Sequence, residues 1–96
     1  MKALMVIYNA AIESMVAGCM KECGIKSYTK FPRIHGAGKS AGPRLDTHVW
    51  PGLNNALFIV AGEDEISSMA EKIRDLKSRY SREGVKAFIL PVEETI

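Results

Sequence analysis

The sequence predicts an α+β fold in which a four-stranded antiparallel sheet carries both of its helices on one face. Three observations predict it. Strand-length apolar runs and helix-period stripes follow one another in the order βαββαβ. The first and third runs are apolar on both parities, as expected for strands covered on two faces. The second and fourth contain proline, which cannot donate to a ladder and is confined to sheet edges or bulges. Two interlocked βαβ halves in that order give the split βαβ, or ferredoxin-like, arrangement, whose first and third strands are central. Pattern and topology therefore agree.

The first strand is Ala3 to Tyr8, with Leu4, Val6 and Tyr8 on one parity and Ala3, Met5 and Ile7 on the other. A helix follows. Ile12, Met15, Val16, Cys19, Met20 and Cys23 fall on one stripe at the helical period. Gly24 is placed to stop it. Ser27 to Ile34 reads as the second strand, at an edge or bulged because of Pro32. Asn55 to Ala61 is the third strand, with Leu57 and Ile59 opposite in parity to Ala56, Phe58 and Val60. The second helix spans about Asp64 to Tyr80 on the stripe Ile66, Met69, Ala70, Ile73 and Leu76. Its acidic start (Glu63, Asp64, Glu65) and basic end (Lys77, Arg79, Arg82) both suit the helix dipole. Gly84 closes it, and Val85 to Val92, interrupted by Pro91, is the fourth strand.

At 96 residues the chain is expected to be a single domain, 1–96. With 47% hydrophobic and 25% charged residues it is globular in composition rather than disordered. A net charge of +2 does not suggest a nucleic-acid partner, which calls for many cations on one face. No apolar run reaches the roughly 20 residues that span a bilayer. The opening Met1-Lys2 leads into a strand pattern without a small-residue cleavage site. Together with only 2 cysteines, this points to a reducing cytoplasm and free thiols. Cys19 and Cys23 lie on the apolar stripe, where thiols behave as small hydrophobes.

Two helices cover one sheet face only. The other would expose side chains from both central strands, and apolar patches of that kind mark interfaces. An oligomer with sheets packed face to face is expected.

Residues 35–54 hold four of the 8 glycines, two of the 4 prolines and both of the 2 histidines. A connection of about 20 residues greatly exceeds the usual 4–6 and calls for a function. Gly36-Ala-Gly-Lys-Ser40 resembles the end of a phosphate-binding P-loop, but Arg33 stands where that pattern needs its first glycine, and Gly42-Pro43 forbids the following helix. What survives is a glycine-rich turn whose amides can face an anion beside Lys39 and Arg44. His35, Asp46 and His48 supply imidazole and carboxylate donors suited to zinc, copper or nickel. Trp50 is either an aromatic anchor for a partner or a pin for the loop. No nucleophile and base stand at a spacing that suggests covalent catalysis, and an enzyme is not expected.

Three stretches give the sequence a family likeness: Glu22-Cys-Gly-Ile25 with Thr29, His35-Gly-Ala-Gly-Lys-Ser-Ala-Gly42, and Lys86-Ala-Phe-Ile-Leu-Pro-Val-Glu-Glu94. In these the chain resembles the nitrogen-regulatory P-II and P-II-like trimers. The resemblance implies a homotrimer that binds a small ligand, an adenine nucleotide or another small anion, in clefts between subunits. It also implies that a long loop between strands two and three docks on a transporter or enzyme. Gly36 and Gly38 match the family's loop-base glycines. Lys39 stands in place of the usual arginine, Ser40 in place of a glutamine, and Lys86 matches a phosphate-contacting lysine. Arg82 lies where it can substitute for a missing phosphate contact. The loop 35–54 would present Arg44, Asp46, His48 and Trp50 to the partner. An alternative is a CutA-like trimer that binds divalent metal through His35, Asp46 and His48.

Overall fold

The computed structural model describes residues 1–36, 53–80 and 84–96. Strand β1 (Lys2–Asn9) leads through a 3₁₀ turn (Ala10–Ile12) into helix α1 (Glu13–Glu22). Strands β2 (Thr29–Ile34) and β3 (Asn54–Ala61), helix α2 (Glu63–Arg79) and strand β4 (Val85–Pro91) complete the order. The strands lie in the order β2-β3-β1-β4, and every neighbouring pair is antiparallel. This is the expected ferredoxin-like sheet, with β1 and β3 central and the proline-bearing strands at the rims.

Strand alternation divides the sheet into two faces. Leu4, Val6, Tyr8, Leu57, Ile59 and Val85 point toward the helices. They are buried against Val16, Cys19 and Met20 of α1 and Ile66, Met69, Ile73 and Leu76 of α2. The opposite face is built from ladder rows. Phe58, Met5 and Phe88 lie side by side, with Thr29 beyond Phe58. Ala56, Ile7 and Lys86 form the next row, with Phe31 beyond Ala56, and Val60, Ala3 and Leu90 form a third. Among these ladder positions Lys86 carries the only charge. No helix covers the rows, and Phe31, Phe88 and Leu90 remain 43–46% exposed. The uncovered apolar face expected from the sequence is present.

The structure corrects several details. Asn9 ends β1, and its side-chain oxygen accepts from the Ala11 N–H at 2.8 Å, which starts helical winding earlier than the apolar stripe indicates. Met15 is exposed rather than part of the core. Val16, Cys19 and Met20 form the buried line of α1, and Met15 falls on its flank. Strand β2 begins at Thr29, not Ser27. Residues 24–27 diverge from the end of β3 and leave a cleft lined by Lys26, Ser27, Val60 and Glu65. Within β2 the register shifts between Phe31 and Ile34, so the strand is both bulged and at a rim.

Helix α1 ends in a Schellman motif. Gly24 N–H donates to Lys21 O at 3.1 Å and Ile25 N–H to Met20 O at 2.9 Å, with Ile25 buried beneath. Gly24 has φ +72°, a left-handed value that a Cβ disfavours. Nothing crowds the position where a Cβ would stand, so only the backbone preference is at stake. Gly24→Ala is expected to lower unfolding stability by about 1 kcal/mol, read as a shifted midpoint in urea at unchanged slope.

Candidate functional site

The end of the sheet from which residues 35–53 and 80–84 depart gathers four strand termini. Asn9 N–H donates to Gly84 O at 3.2 Å, and Ala10 N–H donates to Leu53 O at 2.8 Å. Ile34 pairs with Asn54, which pairs with Asn9. The two connections therefore leave from one rim, held together by backbone hydrogen bonds. Gly84 has φ +73°, a turn that glycine makes without strain.

A polar cluster lies just inside this end. Tyr8 is almost wholly buried, and its hydroxyl donates to Glu13 Oε1 at 2.6 Å. Asn55 is also buried, and its Nδ2 donates to the same oxygen at 2.9 Å. Lys30 Nζ reaches Glu13 Oε2 at 3.0 Å. Asn55 Oδ1 in turn accepts from the Arg33 backbone N–H at 3.1 Å. Arg33 sits in the β2 bulge with φ +50°, the only positive value at a non-glycine among the described residues. One carboxylate thus joins β1, α1, β2 and β3.

The electrostatics follow from burial and donors. Burial would raise the Glu13 carboxyl, but hydrogen bonds from Tyr8, Lys30 and Asn55 outweigh it and hold Glu13 below the usual carboxylate range. Burial, then the hydrogen bond to Glu13 and its charge, push the Tyr8 hydroxyl far above the ordinary tyrosine range. The cluster therefore consists of an ionised carboxylate fed by neutral and cationic donors. In the sequence Tyr8 and Asn55 fall in apolar strand runs, and Glu13 and Lys30 belong to no motif. The available signal was the pair Asn54-Asn55 opening a strand, since asparagine is depleted in strands and requires partners when buried.

Of the residues singled out from sequence, the structure places His35, Gly36 and Lys86. His35 and Gly36 are exposed and follow directly on β2. Lys86 is exposed on β4, beside Ile7 at this end of the open face. Gly38, Lys39, Ser40, Arg44, Asp46, His48, Trp50 and Arg82 lie outside the described residues. Among the described residues no three His, Cys, Asp or Glu side chains converge on a common point. Cys19 is buried and Cys23 half-buried, and both are free. Burial raises each thiol above its usual range, which fits the expected core role. No described helix is long and apolar enough to cross a membrane.

Solved structures share the architecture. A PII-like signalling protein from Thermus thermophilus is 19% identical, with a TM-score of 0.63 over 92% of this chain and 82% of that one. CPII from Thiomonas intermedia K12, a nitrogen regulatory PII-like protein solved with ADP, AMP and bicarbonate, is 16% identical. Its TM-score is 0.70, covering 99% of this chain and 94% of that one. The apo form of CPII gives 14% identity and a TM-score of 0.66, covering 95% and 89%. At these identities the likeness carries the fold alone. No curated protein matches the sequence. The sequence profile described as nitrogen regulatory protein P-II matches residues 1–96. With a match along its whole length and the sheet that such a match requires, the chain belongs to the P-II family.

Proposed function

We propose that this chain is a cytoplasmic, trimeric P-II-like regulator, not an enzyme. Its ligand would be an adenine nucleotide or another small anion, bound in clefts between subunits. The observation that carries the reading is the position of Lys86. It is the single charge in the ladder rows of a largely apolar face, and it stands at the end from which both loops depart.

If copies of the chain cover that face, Lys86 falls at the mouth of the seam between them. There an ammonium acts as a compact point charge for phosphate. Gly36 begins the glycine-rich connection at the same end, and backbone amides without an intervening Cβ can approach an anion closely. Gly38, Lys39, Ser40 and Arg82 would complete the ligand set. Arg44, Asp46, His48 and Trp50 would contact the partner, a transporter or an enzyme. Ligand would act by favouring one arrangement of loop 35–54, which requires different affinities for its two states. The ADP, AMP and bicarbonate held by CPII set the order in which ligands should be tried.

Isothermal titration of the full chain with ADP, with and without bicarbonate, tests the reading. Saturable binding is expected. Lys86→Ala should weaken it about tenfold or more, the loss of one charge-assisted contact. Absence of binding by ADP and AMP, or affinity indifferent to Lys86→Ala, would overturn it.

A further inference from the structure

We infer that Glu13 is a positioning residue for the base of the β2–β3 connection. Its carboxylate sets which way the Asn55 amide faces, and that amide holds Arg33 in the left-handed conformation after which Ile34 pairs once more and His35 and Gly36 leave the sheet. The geometry stands without a ligand. The consequence for binding at Gly36 rests on the function proposed above.

The argument is one of donors and acceptors. An ionised carboxylate only accepts. Lys30 can only donate, and it occupies Oε2. Oε1 receives Tyr8 and Asn55, so Asn55 must turn its NH₂ toward Glu13. Its oxygen then faces β2 and accepts from Arg33 N–H. Turning the Asn55 amide over would set its NH₂ against the Arg33 N–H, donor against donor. Pro32 has no N–H, and the ladder slips between Phe31 and Ile34. The Asn55 oxygen is thus the partner that the structure gives to Arg33 N–H in the bulge.

Glu13→Gln cannot satisfy the same set. With its NH₂ in the Oε2 position, the amide opposes the Lys30 ammonium, which must turn away, and its neutral oxygen holds Tyr8 and Asn55 more weakly than a carboxylate does. With its NH₂ in the Oε1 position, Tyr8 can rotate to accept, but Asn55 cannot accept without deserting Arg33. Protonation of Glu13 on Oε2 likewise costs the Lys30 ion pair and leaves Asn55 a neutral, weaker acceptor. The charged and titratable groups facing it among the described residues are Tyr8 from β1 and Lys30 from β2, with neutral Asn55 from β3. Tyr8 stays protonated throughout the acid range. Because the folded pKa of Glu13 is lowered, the ionised arrangement holds above the ordinary carboxylate range and is lost as pH falls through the folded value.

Amide hydrogen exchange and a pH titration by ¹⁵N-resolved NMR test this on the full chain. In Glu13→Gln the Arg33 amide should exchange at least about tenfold faster, relative to the core amides of Leu4 and Ile59. Glu22→Gln, which removes an exposed carboxylate from the same helix, should leave the Arg33 amide unchanged. In the unmodified protein the Arg33 amide shift should titrate with a midpoint below the usual carboxylate range, and this titration should vanish in Glu13→Gln. An unchanged relative exchange rate in Glu13→Gln overturns the assignment, as does an Arg33 shift that does not titrate there. If Glu13→Gln does not fold, the titration of the unmodified protein decides alone. The readout needs no nucleotide, so it is independent of any failure of ADP to bind.

Discussion

Lysine in place of Met5 is expected to leave the chain folded and reduce it to a monomer. Met5 lies between Phe58 and Phe88 in the middle ladder row of the open face. In the isolated chain this face meets water and Met5 is only half-buried, so an ammonium there costs the fold little. In the proposed trimer each copy would bury that ammonium among apolar side chains. An uncompensated buried charge costs about 3–5 kcal/mol. Association should therefore weaken by at least about a hundredfold for each buried copy, at tenfold per 1.4 kcal/mol. Sedimentation equilibrium at micromolar concentration should show a trimer for the unmodified chain and a single copy for Met5→Lys, with unchanged far-ultraviolet dichroism. A trimer that survives the substitution would show that this face is not what the copies share.

Asn55→Ala is expected to be the most damaging small change at the loop end. It leaves the Arg33 N–H without the Asn55 oxygen, takes one donor from Glu13, and opens a small void under β2. An orphaned buried polar group costs about 1–3 kcal/mol, and two are affected, although Glu13 keeps Tyr8 and Lys30. A loss of about 2–4 kcal/mol is expected. For a domain of this size it corresponds to a fall of roughly 10–25 °C in Tm, measurable by calorimetry. Tyr8→Phe removes one donor from a carboxylate that keeps two others, so its effect should be clearly smaller. Equal losses for the two variants would show that the Asn55 link to the bulge adds nothing.

The architecture was legible because its signals are local and agree with one another. Apolar residues on both parities marked β1 and β3 as central, and Pro32 and Pro91 marked β2 and β4 as rims. Gly24 marked the end of α1 and proved to be left-handed. The errors arose where side chains redirect the backbone. Asn9 caps a 3₁₀ turn ahead of α1, and so Met15 falls on the flank of the buried line. The Glu13 cluster was hidden for another reason. Its members stand at positions 8, 13, 30, 33 and 55, and no spacing along the chain shows that the sheet brings them together. Hydrogen bonds between elements have no period. Gly36 stands out in its glycine-rich run, and Lys86 only through family likeness. Their common position at one end of the sheet became visible only once β1 was seen to bridge β3 and β4.

The two rims also bear on how copies can join. β2 is kinked at Pro32 and Arg33, so that border offers no long, straight run of free amides, and on the other border Pro91 ends β4. Sideways growth, strand upon strand, is the route by which sheets become fibrils, and here it is hindered on the β2 flank. Greasy contact is left to the broad flat surface, where stacking about an axis closes after a fixed number of copies. The bulge at Pro32 and Arg33 thus favours a finite particle over an endless one.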